Sequence, residues 1–411
     1  MGKDCPCGGF DGYEKHGGFR PENRMKRVLI IAGETSGDLH GSQLMNRMKI
    51  LLPGIEFKGI GGSLMNEEGL DAIRHVREMN FMGFVEVIRH LPFIRRTMKD
   101  LEALLDTWHP DLTILIDYPG FNLRFAPAVK RRNIPLMYYI SPQLWAWHKS
   151  RVKIVERYVD RMVVLFDFER DFYRRYGITV DFVGHPLVDI VRPAGDYTSF
   201  RASLGVNDSL PVIGLLPGSR TQEIDRLLPA MIGAFNLLRQ RHGPVCAVLG
   251  CASEIEQSYY ETFIGGADII PLREKTYDIM AHADALVVTS GTATLESGIL
   301  GTPMVIVYRT SPLTYFIGRR MVKIPDIGLI NIVAGTRIVP ELLQNEVTPE
   351  NIAGHLSAFL KDGALRESTR KALASAGRKL GESGASERAA RIALNMMGAE
   401  NGGRRDGEIR R

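Results

Sequence analysis

The stretch Ala285-Leu286-Val287-Val288-Thr289-Ser290-Gly291-Thr292-Ala293-Thr294-Leu295-Glu296 starts as an apolar run, breaks at a turn of small residues and resumes with helix formers. That is a strand feeding a helix through a short loop, the repeating unit of a parallel α/β sheet. Free N–H groups in the first turn of such a helix attract anions, as does its dipole, and Gly291 has no side chain to hold a phosphate off the backbone. Glu296 falls about one turn into the helix, where its carboxylate can accept hydrogen bonds from ribose hydroxyls. Ser290, Gly291, Thr292 and Glu296 are therefore candidate nucleotide-binding residues. An ordinary strand-to-helix turn would carry the same pattern.

A second stretch, Pro211-Val212-Ile213-Gly214-Leu215-Leu216-Pro217-Gly218-Ser219-Arg220, is again a strand, and its Pro-Gly-Ser ending delivers an arginine to the turn. The helix behind it starts near Gln222, with Leu227, Leu228, Met231 and Ile232 spaced to cover one face. Arg220 thus projects from a strand end, the side of an open parallel sheet where ligands bind. The fixed fork of donors on its guanidinium suits a pyrophosphate, although a surface arginine needs no ligand. Two strand-end loops with anion-binding chemistry together favour a nucleoside diphosphate.

The chain has 411 residues and 45% hydrophobic composition, long enough for two domains with separate cores. Its 52 Lys+Arg against 47 Asp+Glu leave a net charge of only +5, too balanced to suggest nucleic acid. Four cysteines form no disulfide framework in a protein of this size, and a reducing compartment fits. Cys5, Cys7 and His16 fall short of a structural zinc set. No apolar run reaches the roughly 18 to 20 residues that span a bilayer. Residues 1–24 read as a disordered N-terminal extension without the apolar core of a secretory signal, and Met25 as an alternative start that N-terminal sequencing of native protein would decide. Residues 401–411 read as a disordered tail.

Between these ends strands and helices alternate. Strands are expected at Val28–Ala32, Glu56–Ile60, Leu112–Ile116, Leu136–Ile140, Met162–Leu165 and Asp181–Val183, then at Val212–Leu216, Val245–Leu249, Ala267–Pro271, Ala285–Val288 and Met304–Tyr308. The expected fold is α/β, with two Rossmann-like domains facing each other across a cleft: residues 25–190, a linker at 191–199, residues 200–375, and a C-terminal helical segment at 376–400. Gly59-Ile60-Gly61-Gly62 resembles a dinucleotide fingerprint only superficially, because Leu64 stands where the third glycine belongs. Gly33-Glu34-Thr35-Ser36-Gly37-Asp38 lacks the Gly-Lys-Ser/Thr ending of a P-loop. It reads as a small-residue loop on the cleft, with Ser36 and Asp38 available either to a substrate or to cap a helix.

Seven segments, taken in order, resemble the lipid-A-disaccharide synthase family. They are Gly33–Asp38, Met82-Gly83-Phe84-Val85-Glu86-Val87, Asp117-Tyr118-Pro119-Gly120-Phe121-Asn122, Ser141-Pro142-Gln143-Leu144-Trp145-Ala146-Trp147, Val183-Gly184-His185-Pro186, Leu216–Arg220 and Ser290–Glu296. The resemblance implies a GT-B glycosyltransferase with no cofactor and no metal. It would join UDP-2,3-diacylglucosamine to 2,3-diacylglucosamine 1-phosphate through a β-1,6 bond and release UDP. An α-linked donor giving a β product requires inversion, hence one in-line displacement and a base. The partners implied are these two lipid sugars and an anionic membrane surface. The implied location is cytoplasmic, at the inner face of the inner membrane.

Asp117 is the expected catalytic base. It ends the apolar run Leu112–Ile116 at the C-terminal edge of a buried strand, where a carboxylate is unfavourable unless paired or used; capping the next helix is the other reading. His185, at a strand end near the linker, and Asn331 are expected substrate contacts, although His185 before a proline could simply brace the hinge. Two positions depart from the family pattern: Gly120 replaces a second aspartate found in many members, and Leu329-Ile330-Asn331 replaces Leu-Pro-Asn, which leaves the rigidity of that loop in question. Because the substrates carry acyl chains, Phe84, Val85, Ile88, Phe93, Arg95 and Arg96 are read as a membrane contact, with Pro92 bending or ending a helix there. A core helix with a solvated face gives a similar pattern. The segment Tyr315–Lys323 reads as a second contact. Two other functions share the fold, a UDP-sugar 2-epimerase and a non-catalytic nucleotide-sugar sensor; neither needs an apolar basic surface together with Asp117.

Overall fold

The computed structural model describes residues 24–79, 89–146, 149–311, 315, 316, 320 and 325–399. The readings of residues 1–23 and 400–411, and of Phe84, Val85 and Ile88, fall outside the described residues.

Two all-parallel sheets organise the chain. The first contains β1 (Arg27–Ala32), β2 (Glu56–Gly61), β3 (Leu70–His75), β4 (Leu112–Ile116), β5 (Leu136–Tyr139), β6 (Arg161–Val164) and β7 (Asp181–Phe182), in the order β3-β2-β1-β4-β5-β6-β7. The second contains β8 (Val212–Leu216), β9 (Cys246–Cys251), β10 (Ile269–Arg273), β11 (Ala285–Thr289), β12 (Met304–Tyr308) and β13 (Glu341–Leu343), in the order β10-β9-β8-β11-β12-β13. Helices cover both faces of each sheet, so the central strands are apolar throughout rather than alternating. In β1, Val28, Ile30 and Ala32 enter one core while Leu29 and Ile31 enter the other. In β11, Ala285 and Val287 point one way and Leu286 and Val288 the other.

Strand order reverses between β1 and β4 in the first sheet and between β8 and β11 in the second. Ligands of open parallel sheets bind at such switch points, beyond the carboxyl ends of the strands. The four loops that leave these strands are Gly33–Glu34, Asp117–Tyr118, Pro217–Arg220 and Ser290–Gly291, the same segments that carry polar and small residues in the sequence.

The segment 376–400 is not a separate appendage. Its helix Ala385–Met396 returns to the first sheet and packs beside the helix Thr35–Leu51, placing Ala389, Ala390, Ala393 and Leu394 in the core around Val28 and Ile30. Alanines allow this close approach. Arg388 fixes it by donating to the Val183 carbonyl at 2.7 and 2.9 Å, and Asp189 accepts from Gly384 N at 3.0 Å. No helix among the described residues is long and apolar enough to cross a membrane.

Candidate active site

The turn after β4 holds its carboxyl in an unusual backbone. Asp117 (φ 41°) and Tyr118 (φ 46°) are consecutive non-glycine residues in the left-handed region, a conformation that persists only where the surroundings impose it. Here Asp117 N donates to Tyr139 O at 3.1 Å, while Asp117 O accepts from Asn122 Nδ2 at 2.8 Å and from the Tyr138 hydroxyl. Tyr118 donates to Met79 O at 2.8 Å, and its ring lies so close to Gly33 that a Cβ there would stand 2.2 Å from it. Gly33 is therefore glycine because an aromatic ring occupies the space of a side chain.

Held this way, Asp117 borders a cavity of about 1000 Å³. Burial pushes its carboxyl up to about 7, and the charge of Glu34 adds to the shift. One wall is apolar, made of Leu91, Ile94, Met98, Phe121 and Leu144; Arg95, Lys99, Arg124 and Arg151 also line it. Gly120 faces this space with nothing within 4 Å of the position a Cβ would take, so the missing second carboxylate leaves room rather than a packing defect.

The second sheet carries a smaller cavity of about 360 Å³, lined by Arg220, Ser290, Gly291, Thr292 and Glu296 together with Gly218, Ser219 and Glu223. The five residues singled out in the sequence thus meet in one place. Gly291 (φ 156°) ends the loop and caps the helix Thr292–Leu300, which has no side-chain cap and so leaves first-turn N–H groups facing the cavity. Arg220 pairs with Glu223 at 3.2 Å, and Glu223 also accepts from Ser219 N at 3.2 Å. Glu296 accepts from the Tyr277 hydroxyl at 3.2 Å, and burial raises its carboxyl above the usual range.

Three expected substrate contacts have other work in the fold. Asp38 is buried, and its carboxylate accepts from Gly62 N (2.7 Å), Met65 N (3.0 Å) and Leu64 N (3.1 Å), capping the helix Ser63–Glu67. A Cβ on Gly62 would lie 2.4 Å from that carboxylate, which accounts for a glycine of the false dinucleotide pattern. His185 is buried against Phe166 and His40, held low at about 3 by burial and by His40, and accepts from Leu187 N at 3.2 Å. Asn331 is fully buried. Its amide donates to Val339 O and Glu341 and accepts from Ile338 N and Val339 N.

Asn331 still bears on the nucleotide loop, indirectly. Glu341 also accepts from Ile327 N and Gly328 N, and the Ile327 carbonyl accepts from Ser290 Oγ at 3.1 Å. This chain of bonds gives the 327–331 loop its rigidity without the proline, while Ile330 is buried against Gly298. Ser36 is exposed in the first turn of its helix and lines neither cavity. Phe93 is half-buried and packs on the first core, under the Arg74 guanidinium at 5.8 Å. Pro92 sits in the first turn of Leu91–Trp108, where its missing N–H is harmless. Arg95 and Arg96 are exposed, and Arg95 lines the larger cavity.

Sequence reading missed Glu34, Arg124, Glu223 and Tyr277. Glu34 and Glu223 lie inside or beside the motifs. Arg124 lines the larger cavity from the helix that follows Asp117, and Tyr277 bears on the smaller one only through its bond to Glu296.

Two parallel Rossmann-like domains, each with its polar loops at a switch point, define a GT-B type fold. Solved structures agree on the fold: a UDP-GlcNAc 2-epimerase from Neisseria meningitidis bound to UDP-GlcNAc superposes with TM-score 0.60 at 11% identity, covering 90% of this chain and all of that one. The calicheamicin glycosyltransferase CalG4 gives 0.59 at 16%, covering 92% and all. Sequence separates what the fold does not. Residues 28–396 match the family model described as Lipid-A-disaccharide synthetase, and the chain belongs to that family, a hexosyltransferase family of lipid A biosynthesis. It is 45% identical over 375 residues to the lipid-A-disaccharide synthase of Geobacter metallireducens, covering 91% of this chain and 98% of that protein. The corresponding enzyme of Myxococcus xanthus is 39% identical, with 90% and 97% covered.

Two outcomes are expected. Between pH 3.8 and about 7 the unfolded chain ionises Asp117 while the fold keeps its proton, so the residue increasingly favours unfolding, and above that window the full penalty applies. Asp117→Asn should therefore gain stability relative to the parent as pH rises from 5 to 8 in urea titrations; a difference that does not change with pH would contradict the burial account. Asn331→Ala strands buried partners and should lower stability by about 2–4 kcal/mol. A surface substrate contact would leave the urea midpoint unmoved.

Proposed function

We propose that this protein transfers the 2,3-diacylglucosaminyl group of its UDP donor to the 6-hydroxyl of 2,3-diacylglucosamine 1-phosphate, with inversion, giving a β-1,6-linked disaccharide phosphate and UDP. The observation that carries this reading is a single carboxyl, raised to about 7, beside a large half-apolar cavity at one switch point, paired with an anion-binding cavity at the other. A base with that pKa is matched to neutral pH. Asp117 takes the proton of the acceptor hydroxyl as its oxygen attacks C1 of the donor, and the bond from C1 to the diphosphate breaks on the opposite face. Arg220 and the N–H groups of the Ser290–Thr292 loop stabilise the charge that develops on UDP. Glu296, oriented by Tyr277, accepts from the ribose. The apolar wall of the larger cavity receives acyl chain.

Acylated substrates reside in a membrane, and the reading places the protein peripherally on the cytoplasmic face of the inner membrane. Support comes from exposed Arg95 and Arg96 and from the exposed Phe316, over whose ring Arg320 stands at 3.9 Å. Ser36, beside Glu34, remains a candidate acceptor contact.

Asp117→Asn should lower kcat by about 10²-fold or more and leave UDP affinity nearly unchanged. The acid limb of kcat/KM, centred near pH 7 in the parent, should vanish with it. Near-parental turnover in a folded variant would reject the base. Activity should survive EDTA, since protein donors hold the diphosphate, and Arg220→Ala should weaken UDP binding about tenfold or more. Activity that EDTA abolishes and only a divalent ion restores would contradict this mechanism.

A further inference from the structure

The larger cavity has more positive charge than a proton transfer requires. Arg95 and Lys99 stand four residues apart on the helix Leu91–Trp108 and share a face, an arrangement of like charges that is unfavourable by itself. Arg124, from the helix Pro119–Arg131, and Arg151, from the turn Lys149–Arg151, line the same space. Acidic residues of that first helix do not offset them: Asp100 pairs with Arg74 at 2.7 Å, Asp106 with Arg132 at 2.6 Å, and Glu102 with Arg131 at 3.9 Å. Among the described residues none of the four cavity cations has an ion-pair partner. The cavity holds four cations against two carboxyls, Glu34 and Asp117.

We propose that Arg95, Lys99, Arg124 and Arg151 form an anion subsite for a phosphate monoester at C1 of the sugar acceptor, distinct from the diphosphate loops of the second sheet. The reading rests on the transferase function above. Leu91, Ile94 and Met98 run along the same helix beside the two cations, so one wall presents apolar surface and positive charge together. That combination fits an acylated phosphate better than a free inorganic anion. In a pyranose C1 and C5, the carbon that bears the 6-hydroxymethyl group, flank the ring oxygen, so fixing the C1 substituent also limits where the 6-hydroxyl can lie. A phosphate held by the cations therefore presents that hydroxyl to the carboxyl on the same cavity, and the subsite orients as well as binds.

The test compares two detergent-dispersed acceptors, 2,3-diacylglucosamine 1-phosphate and its 1-hydroxyl analogue, in the full-length protein and in Arg124→Gln and Arg95→Gln/Lys99→Gln. For the phosphate acceptor kcat/KM should fall about 10- to 100-fold, mainly through KM, while the analogue changes little. UDP affinity and melting temperature should hold, and Arg124→Lys should recover part of the loss. An equal loss on both acceptors, or no loss, would overturn the subsite. So would variants that keep their KM for dispersed acceptor but lose affinity for phosphatidylglycerol vesicles, since the cations would then serve membrane headgroups. Failure of the transferase reading itself would look different: the parent would form no disaccharide from either acceptor. Calorimetric binding of the 1-phosphate to the parent and to Arg124→Gln would still report on the subsite, and equal affinities would reject it.

Discussion

A half-buried carboxyl at the end of a buried strand is the constraint on which the site depends. Asp117 follows five fully buried residues and leaves the sheet through two left-handed conformations that no glycine relieves. Strain of that kind, on the order of 1–3 kcal/mol per residue, lasts only where neighbours over-determine the backbone. They do so through main-chain bonds to Tyr139, Asn122 and Tyr138, and through Tyr118, whose ring fills the place a side chain on residue 33 would need. Rigidity and basicity thus share one origin. The packing that fixes the turn also shields the carboxyl from part of the water that would keep it acidic.

The second sheet solves the complementary problem of presenting donors to an anion while keeping their loops still. Ser290 is tied to Ile327, Ile327 to Glu341, and Glu341 to Asn331, a relay whose last two members are buried. Glu223 steadies the Pro217–Arg220 turn and pairs with Arg220. Both loops are preorganised by carboxylates that do not themselves need to meet a substrate, which lets the donors act without reorganising as charge develops.

Central strands were legible because burial on both faces leaves an uninterrupted apolar run: Leu112–Ile116, Val212–Leu216 and Met304–Tyr308 end where the sequence says. Two of the four edge strands were not. Leu70–His75 carries Asp71, Arg74 and His75 on a half-exposed edge, and Glu341–Leu343 is three residues long, so neither presents a strand-like run. Loop chemistry at strand ends was equally readable, because Ser290, Gly291, Thr292 and Arg220 owe their position to the strands just before them. The roles of Asp38, His185 and Asn331 were not legible because a polar residue in a motif looks the same whether it meets a ligand or a buried backbone. Only tertiary structure reveals three N–H donors on one carboxylate. Tyr277 and Arg151 come from segments distant from the motifs they join and leave no local signature.

The account joins a base on one sheet to a departing diphosphate on the other, and the stereochemistry of the product tests that most directly. Purified protein should be incubated with UDP-2,3-diacylglucosamine and 2,3-diacylglucosamine 1-phosphate, and the product examined by mass spectrometry and by proton NMR of the anomeric centre. One β-1,6-linked disaccharide phosphate, formed in step with UDP and showing the large coupling of an axial anomeric proton, is the expected result. An α-linked product, or a donor epimerised at C2 with no disaccharide, would contradict a single in-line displacement assisted by Asp117.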